Sequence, residues 1–141
     1  MKILLWAWQF PQHLLGLILT KALKAKKRFY KADYGIIEYW EYEQKGWFSK
    51  FISGVSFGQY IILPPRNDND ETVPHEHGHS IQSLQWGWLY LVVIGIPSAV
   101  FNNLWDRLFH QNWTWQERYK WYYSRFPEKQ ADRAGGVNRR Y

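Results

Sequence analysis

The stretch His75-Glu-His-Gly-His79 decides how this chain is interpreted, because it contains the pattern His-Glu-x-x-His. On an α-helix, positions 75 and 79 are about 40° apart in rotation and about 6 Å apart in rise, so both imidazoles point from one face towards a single ion. Glu76 is rotated by about 100° from His75 and reaches a water on that ion without ligating it. This arrangement predicts a catalytic zinc site. His77, rotated by about 200°, faces away and is expected at the surface or behind a ligand.

The residues around the motif predict that it lies on a helix. The polar loop 66–71 precedes it, and Asp70 or Thr72 can cap the helix, with Pro74 tolerated in the first turn. No proline interrupts the residues that follow directly. Because Gly78 is small, another part of the chain can approach the helix closely at this position.

A catalytic zinc needs a third protein ligand and an open position for water. The downstream acidic residues are Asp106, Glu117, Glu128 and Asp132. Glu128 and Asp132 are four residues apart in a predicted short helix that begins after Pro127 and ends near Gly135. One of these carboxylates would bind the metal, and the other would accept the ring N–H of a ligating histidine. The alternative is a solvated acidic pair beside the neighbouring basic residues.

Composition restricts the remaining possibilities. A chain of 141 residues forms one domain, residues 1–141, and 46% hydrophobic residues exclude a disordered chain. The absence of cysteine excludes a disulfide framework, a cysteine-ligated zinc finger, an iron–sulfur cluster and a cysteine nucleophile.

The net charge of +6 allows nucleic acid, an anionic membrane surface or an acidic substrate as partner. Trp and Tyr make up much of the aromatic content and suit both a membrane interface and base stacking.

The fold class follows from a change in residue composition along the chain. Segments rich in β-branched and aromatic residues predict two or three antiparallel strands within about residues 35–63, ended by Pro64-Pro65. We therefore expect an α+β fold, in which a small antiparallel sheet packs on the motif helix and on further helices up to Gly135-Gly136.

Two uncharged stretches bear on membrane contact. Residues 3–20 are followed by a basic cluster within 21–31. Segment 1–31 is predicted to be amphipathic and to lie on anionic lipid. The alternative is that it packs on the domain's own core. Residues 80–105 are long enough to cross a bilayer, but Gly95 and Pro97 predict a break. A single crossing would separate Glu128 from the histidines. This stretch is therefore expected to be a buried hairpin, a re-entrant loop or a pair of short helices.

The His-Glu-x-x-His motif followed by Glu128-Lys-Gln-Ala-Asp-Arg-Ala-Gly135 resembles the gluzincin peptidases, in particular the CaaX prenyl endopeptidases and their bacterial heat-shock relatives. The resemblance implies that His75, His79 and Glu128 bind Zn²⁺, that Glu76 is the general base and that Asp132 supports a ligand. It also implies a minimal zincin-like fold. Segments 75–83 and 89–98 are similar to those of a group of short bacterial proteins. The chain is much shorter than the prenyl endopeptidases, so no substrate class is carried over.

The resemblance thus implies a zinc-dependent endopeptidase that acts on a peptide or protein substrate at a membrane, in a bacterium. The expected oxyanion donors are His110, Tyr122, Tyr123 and Arg125, and strand 56–63 would pair with an extended substrate. One alternative is a catalytically silent metal-binding or scaffold protein at the membrane surface. A nucleic-acid binder is disfavoured, because the basic residues cluster in 21–31 instead of alternating with aromatic residues.

Overall fold

The computed structural model describes residues 2–46, 54–65 and 71–140, and its fold is α+β, as expected. The N-terminal helices are α1 (Lys2–Trp8) and α2 (Phe10–Ala22), and the strands are β1 (Lys26–Ala32), β2 (Gly35–Glu41), β3 (Val55–Phe57) and β4 (Tyr60–Leu63). The motif helix α3 (Thr72–Trp86) is followed by one helical run, Gly87–Leu89, Leu91–Gly95 and Pro97–Leu104, that ends in α4 (Trp105–Phe109). The last helices are α5 (Trp115–Ser124) and α6 (Glu128–Gly135).

The sheet has the strand order β1-β2-β4-β3 and is mixed. Two antiparallel hairpins, β1–β2 and β3–β4, are joined by a parallel pairing of β2 with β4, in which Trp40 lies opposite Ile62. The expectation of a purely antiparallel sheet was therefore wrong at this pairing. The physical reason is that β4 carries the buried residues 61–63 and takes a central position, which leaves β3 at the outer edge.

Strand β1 lies inside the segment 1–31 that was expected to be a basic amphipathic membrane-facing segment. Its charged side chains pair across the hairpin, with Lys27 Nζ 2.8 Å from Glu38 Oε1 and Arg28 Nε 3.2 Å from Glu41 Oε1. Cross-strand pairs of opposite charge favour this pairing, and lysines on an edge strand discourage association with a further strand. The basic cluster thus belongs in part to the sheet.

The expected break at Gly95 and Pro97 was wrong in its position. The chain turns at Gly87, whose φ of 52° suits glycine, and then stays helical through wide π-helical turns over Leu91–Gly95 and Pro97–Leu104. Pro97 begins such a segment, where its missing N–H matters least. Residues 80–105 thus comprise the end of α3 and most of one helical run, joined at Gly87, in place of the expected pair of short helices. Within the described ranges, no helix is both long and apolar enough to cross a membrane.

Helix α3 begins without a side-chain cap. Thr72 is its first residue and not its cap, because Glu71 occupies the cap position and makes no capping hydrogen bond with its side chain. The predicted loop residues 66–70, including Asp70, lie outside the described residues. Helix α6 ends at Gly135, and Gly136, whose φ is 74°, gives the left-handed cap that the two glycines favour.

Helices α3 and α6 touch through their backbones. A Cβ atom on Gly78 would lie 1.9 Å from the carbonyl oxygen of Ala131, and one on Gly135 would lie 1.9 Å from that of Pro74. The expected close approach at Gly78 is confirmed. On its other side α3 packs on the sheet, where Val73 joins the buried core. The motif helix is therefore held between the sheet and α6.

Candidate metal centre

Three side chains from α3 and α6 converge in the protein interior. His75 and His79 lie one turn apart on α3, and each directs its Nε2 atom to Oε2 of Glu128, at 3.1 Å in both cases. Glu128 has 0% of its surface exposed, and both histidines are buried. The ligand atoms of the three residues all lie within 4.8 Å of one another. Sequence spacing predicted the two histidines, the resemblance implied Glu128, and the structure brings the three together.

The three residues fit a zinc ion. Ligand atoms about 2.1 Å from a tetrahedral zinc lie about 3.4 Å from one another, close to the observed spacing. Two imidazoles and a carboxylate are a donor set that zinc prefers in hydrolytic sites. Oε1 of Glu128 is buried and has no hydrogen-bond partner among the described residues, so this oxygen also has electron pairs to offer.

Each histidine is oriented by a hydrogen bond from its other nitrogen. His75 Nδ1 donates to Asp132 Oδ1 at 2.7 Å, as the sequence predicted for one of the two carboxylates of α6. His79 Nδ1 donates to Gln82 Oε1 at 2.7 Å, and the amide of Gln82 donates to the carbonyl of Pro127. With Nδ1 protonated, each Nε2 presents its lone pair towards the centre of the cluster.

Asp132 is itself held by Arg139. The guanidinium donates to both carboxylate oxygens, with Nε 2.8 Å from Oδ2 and Nη2 3.0 Å from Oδ1, and it lies 3.5 Å over the ring centre of Tyr123. Sequence reasoning missed Gln82 and Arg139. The position of Gln82, three residues after His79 on one helix, was a usable signal. Nothing in the sequence pattern places Arg139, which lies beyond the last helix.

Burial and the neighbouring partners shift the pKa values of these candidate ligands in opposite directions. Burial lowers the pKa of His75, but the hydrogen bonds with Asp132 and Glu128 outweigh it and raise the pKa to about 9. Burial alone would raise the pKa of Glu128, but the charge of His79 and the hydrogen bonds with both histidines hold it well below its usual range. Without metal, the cluster therefore holds a proton on an imidazole and a negative charge on Glu128.

Glu76 lies in the wall of two neighbouring cavities. The larger, of about 370 Å³, is also lined by His75, and the smaller, of about 140 Å³, is also lined by His79 and Glu128. Tyr122 lines both cavities together with Glu76. Glu76 is thus placed beside the ligand cluster without belonging to it, as the helical rotation predicted.

Two of the four expected oxyanion donors lie at the site. Tyr122 and Tyr123 line the larger cavity, and the ring of Tyr123 packs edge-on against His75 with 5.1 Å between ring centres. Burial raises the pKa of both phenols, so each keeps the proton that a donor needs.

The other two expected donors lie elsewhere. His110 lies 3.1 Å from a carboxylate oxygen of Asp106 and stacks on Trp113, and Arg125 donates to Asn102 Oδ1. Neither lines the two cavities. Asp106 and Trp113 hold His110, and Asn102 holds Arg125. The order of residues in the sequence could not reveal these contacts.

The remaining candidates, Asp106, Glu117 and His77, form contacts outside the cluster of candidate ligands. Asp106 binds the guanidinium of Arg118, with Oδ2 2.6 Å from Nη2, and Glu117 caps the N-terminus of α5. His77 stacks on Tyr34 with 5.8 Å between ring centres, on the side of α3 away from the ligands, as expected.

The strand beside the site is shorter than expected. Of segment 56–63, β4 is central in the sheet, while β3 is the edge strand and lines the smaller cavity. The carbonyl of Ser56 on β3 accepts a hydrogen bond from the buried hydroxyl of Tyr90 at 2.8 Å. Tyr90 thereby fixes β3 against the helical run, a contact that the sequence did not indicate.

The same chain was compared with known proteins. No protein-family model matches it, and neither the curated proteins nor the solved structures include a chain of detectable similarity.

Proposed function

We propose that this protein is a zinc-dependent endopeptidase of the gluzincin type, with Glu76 as general base. The observation that carries the proposal is the convergence of His75 Nε2, His79 Nε2 and Glu128 Oε2 beside two cavities that share Glu76. Three protein ligands are the number found in catalytic zinc sites, whereas structural sites use four. The ligand set and the adjoining glutamate together support hydrolysis over simple metal storage.

A zinc ion bound by these residues would lower the pKa of a water to about 7 and polarise the scissile carbonyl. Glu76 would accept the proton of the attacking water and pass it to the leaving amine. Tyr122 or Tyr123 would donate a hydrogen bond to the carbonyl oxygen as negative charge develops there. Asp132 and Gln82 hold the imidazoles in place during these steps.

The two cavities support an endopeptidase. Both are lined by Glu76, the larger also by residues of α5 and the smaller also by residues of β3, and together they would give room to substrate residues on both sides of the scissile bond. The edge strand β3 offers backbone groups to an extended peptide.

The decisive experiment replaces Glu76 by glutamine. Purified zinc-loaded protein is incubated with a library of peptides, and new termini are identified by mass spectrometry. We expect the wild type to cleave internal bonds and Glu76→Gln to lose at least about 10²-fold in rate, while zinc stays bound at one equivalent. Glu38→Gln, on the exposed surface of β2, is the matched control and should cleave like the wild type.

Two results would overturn the proposal. If the zinc-loaded wild type cleaves nothing, the protein is a metal-binding or scaffold protein. If Glu76→Gln cleaves at the wild-type rate, the activity comes from another group or from a contaminant.

A further inference from the structure

Two helical segments on one side of the molecule expose large apolar residues and bury polar ones. Helix α2 buries Gln12, His13 and Thr20 and exposes Leu14, Leu15 and Ile18. The run after Gly87 exposes Trp88, Val92 and Ile96, and it buries Asn102 together with Tyr90 and Ile94. A helix that faces water has the opposite arrangement. We call the surface formed by residues 14, 15, 18, 88, 92 and 96 the apolar face.

Three buried polar residues behind this face, Gln9, Gln12 and Ser83, form one hydrogen-bonded group. Gln12 Nε2 donates to Ser83 Oγ at 3.1 Å and to the carbonyl of Gly87 at 2.7 Å, and Ser83 Oγ donates to Gln9 Oε1 at 2.7 Å. These side chains therefore stay inside and do not rotate outwards to solvate the surface.

The two parts of the apolar face are connected. The indole of Trp8 at the end of α1 donates to the carbonyl of Leu84, at 2.8 Å. The indole of Trp88 donates in the opposite direction, to the carbonyl of Ala7, at 2.7 Å. The N-terminal helices thus lie against the end of α3 and the start of the run after Gly87, so the two parts of the apolar face belong to elements that touch. Large exposed apolar side chains gathered on neighbouring elements mark an interaction site.

The charges beside the apolar face indicate the chemistry of the partner that binds there. No acidic residue occurs in segments 1–32 or 80–105. Lys21 lies two turns after Leu14 on the same side of α2, and it and Lys24 are exposed without an ion pair among the described residues. Basic side chains at the end of an apolar stripe match anionic lipid headgroups. A second copy is disfavoured, because each chain carries +6 and would bring like charges together.

We infer that the apolar face docks on a lipid bilayer that contains anionic lipids. The face lies close to the candidate site, because Ser98 and Ala99 line the smaller cavity while Ile96, on the same helical run, is exposed. One helix thickness, about 10 Å, then separates the cavity from the lipid. Docking itself does not depend on peptidase activity.

Flotation with vesicles tests this inference. The full-length protein is mixed with vesicles of phosphatidylcholine, with or without phosphatidylglycerol, and centrifuged through a density gradient. We expect flotation with the anionic vesicles. Ile18→Glu or Val92→Glu should weaken binding at least about tenfold, and Lys21→Gln about fivefold. Ile36→Glu is the matched control, because Ile36 is 75% exposed but lies on β2, and it should float like the wild type.

A second experiment avoids charged substitutions that could disturb folding. The sequence contains no cysteine, so Ile18→Cys, Val92→Cys and Ile36→Cys each accept one environment-sensitive dye. Adding anionic vesicles should shift the emission to the blue at positions 18 and 92 and leave it unchanged at position 36. Zinc content and thermal unfolding of each labelled protein confirm its fold.

Three results would overturn the inference: no flotation of the wild type with either vesicle, equal flotation of the Ile18→Glu and Val92→Glu variants, or self-association without vesicle binding that these two variants abolish. Flotation of Glu76→Gln is measured in parallel. Loss of cleavage and loss of membrane binding are therefore scored separately.

Discussion

His75 Nδ1 and Asp132 Oδ1 lie 2.7 Å apart although 57 positions separate the two residues in the chain. This hydrogen bond joins α3 to α6 directly behind the cluster of candidate metal ligands. Because Arg139 holds the other side of the carboxylate, the imidazole, the aspartate and the guanidinium form one fixed chain of contacts. Ligand geometry therefore depends on a residue beyond the last helix.

Replacing Asp132 by asparagine should lower zinc affinity by about 10- to 100-fold, because His75 loses the acceptor that fixes its ring. The measurement is competition with a fluorescent zinc chelator. Asp106→Asn is the control, since Asp106 also pairs with an arginine and a histidine but with neither metal-cluster histidine. Equal affinities for Asp132→Asn and the wild type would contradict the assigned role of Asp132.

Replacing Gly78 by alanine should separate α3 from α6. The added Cβ would lie 1.9 Å from the carbonyl oxygen of Ala131, so the helices must move apart. We expect a loss of about 1–3 kcal/mol in the free energy of unfolding, together with weaker zinc binding, because Glu128 moves with α6. Denaturant unfolding and chelator competition measure the two effects.

Gly95→Ala provides the matched control for that substitution. Its added Cβ would have its nearest neighbour at 3.7 Å, an ordinary contact, and alanine favours helix over glycine. It should leave stability unchanged or raise it slightly. If both alanine variants behave alike, close helix packing at Gly78 is not what positions Glu128.

Zinc binding and metal-free stability should respond to pH in opposite directions. The pKa of His75 in the metal-free fold is raised from 6.5 to about 9, so its proton stabilises this fold fully below pH 6.5, and this stabilisation is lost as pH rises towards 9. A metal must displace the same proton. Zinc affinity should therefore increase with pH up to about 9, by about tenfold per pH unit for one released proton.

Calorimetry in buffers of different ionisation enthalpy counts the protons released on zinc binding, and denaturant unfolding of the metal-free protein tests the other trend. Glu128→Gln removes one of the carboxylates that stabilise the imidazolium and should shift both profiles to lower pH. A zinc affinity independent of pH between 6.5 and 9 would contradict the assignment.

Of the two phenols at the site, one is expected to stabilise the oxyanion. Tyr122→Phe and Tyr123→Phe each remove one hydroxyl and keep the ring. The variant that loses the oxyanion donor should fall about 10²- to 10³-fold in kcat with little change in KM, and the other should stay near the wild type. Steady-state kinetics on one cleaved peptide distinguish the two. If neither substitution lowers kcat, the donor is a different group.

The candidate site was predictable where its residues are close in sequence. His75, Glu76 and His79 share one helix, so the helical period alone places the two imidazoles together and the glutamate beside them. Glu128 and Asp132 are also one turn apart, which allowed their joint contribution to be expected. Their spacing left the division of roles open, whereas the resemblance implied it. In the structure, Glu128 lies between both Nε2 atoms and Asp132 lies behind His75.

Local pattern did not predict the features that depend on long-range packing. Residues 26–32 were not expected to form a strand, yet they pair with β2, where Glu38 and Glu41 contact Lys27 and Arg28. Gly95 and Pro97 were expected to end a helix, yet the turn occurs at Gly87, where the indole of Trp8 packs against the backbone. Both outcomes depend on partners that are distant along the chain.

The sequence by itself determined the α+β class, the ligand-bearing helix and the two converging histidines, because each follows from the local periodicity of a helix or strand. Only the tertiary structure decided the mixed strand order, the contacts of Gln82 and Arg139, the choice of Tyr122 and Tyr123 over His110 and Arg125, and the outward direction of the apolar residues. These features depend on which surfaces of separate elements bury one another, and that is a property of the whole packed chain.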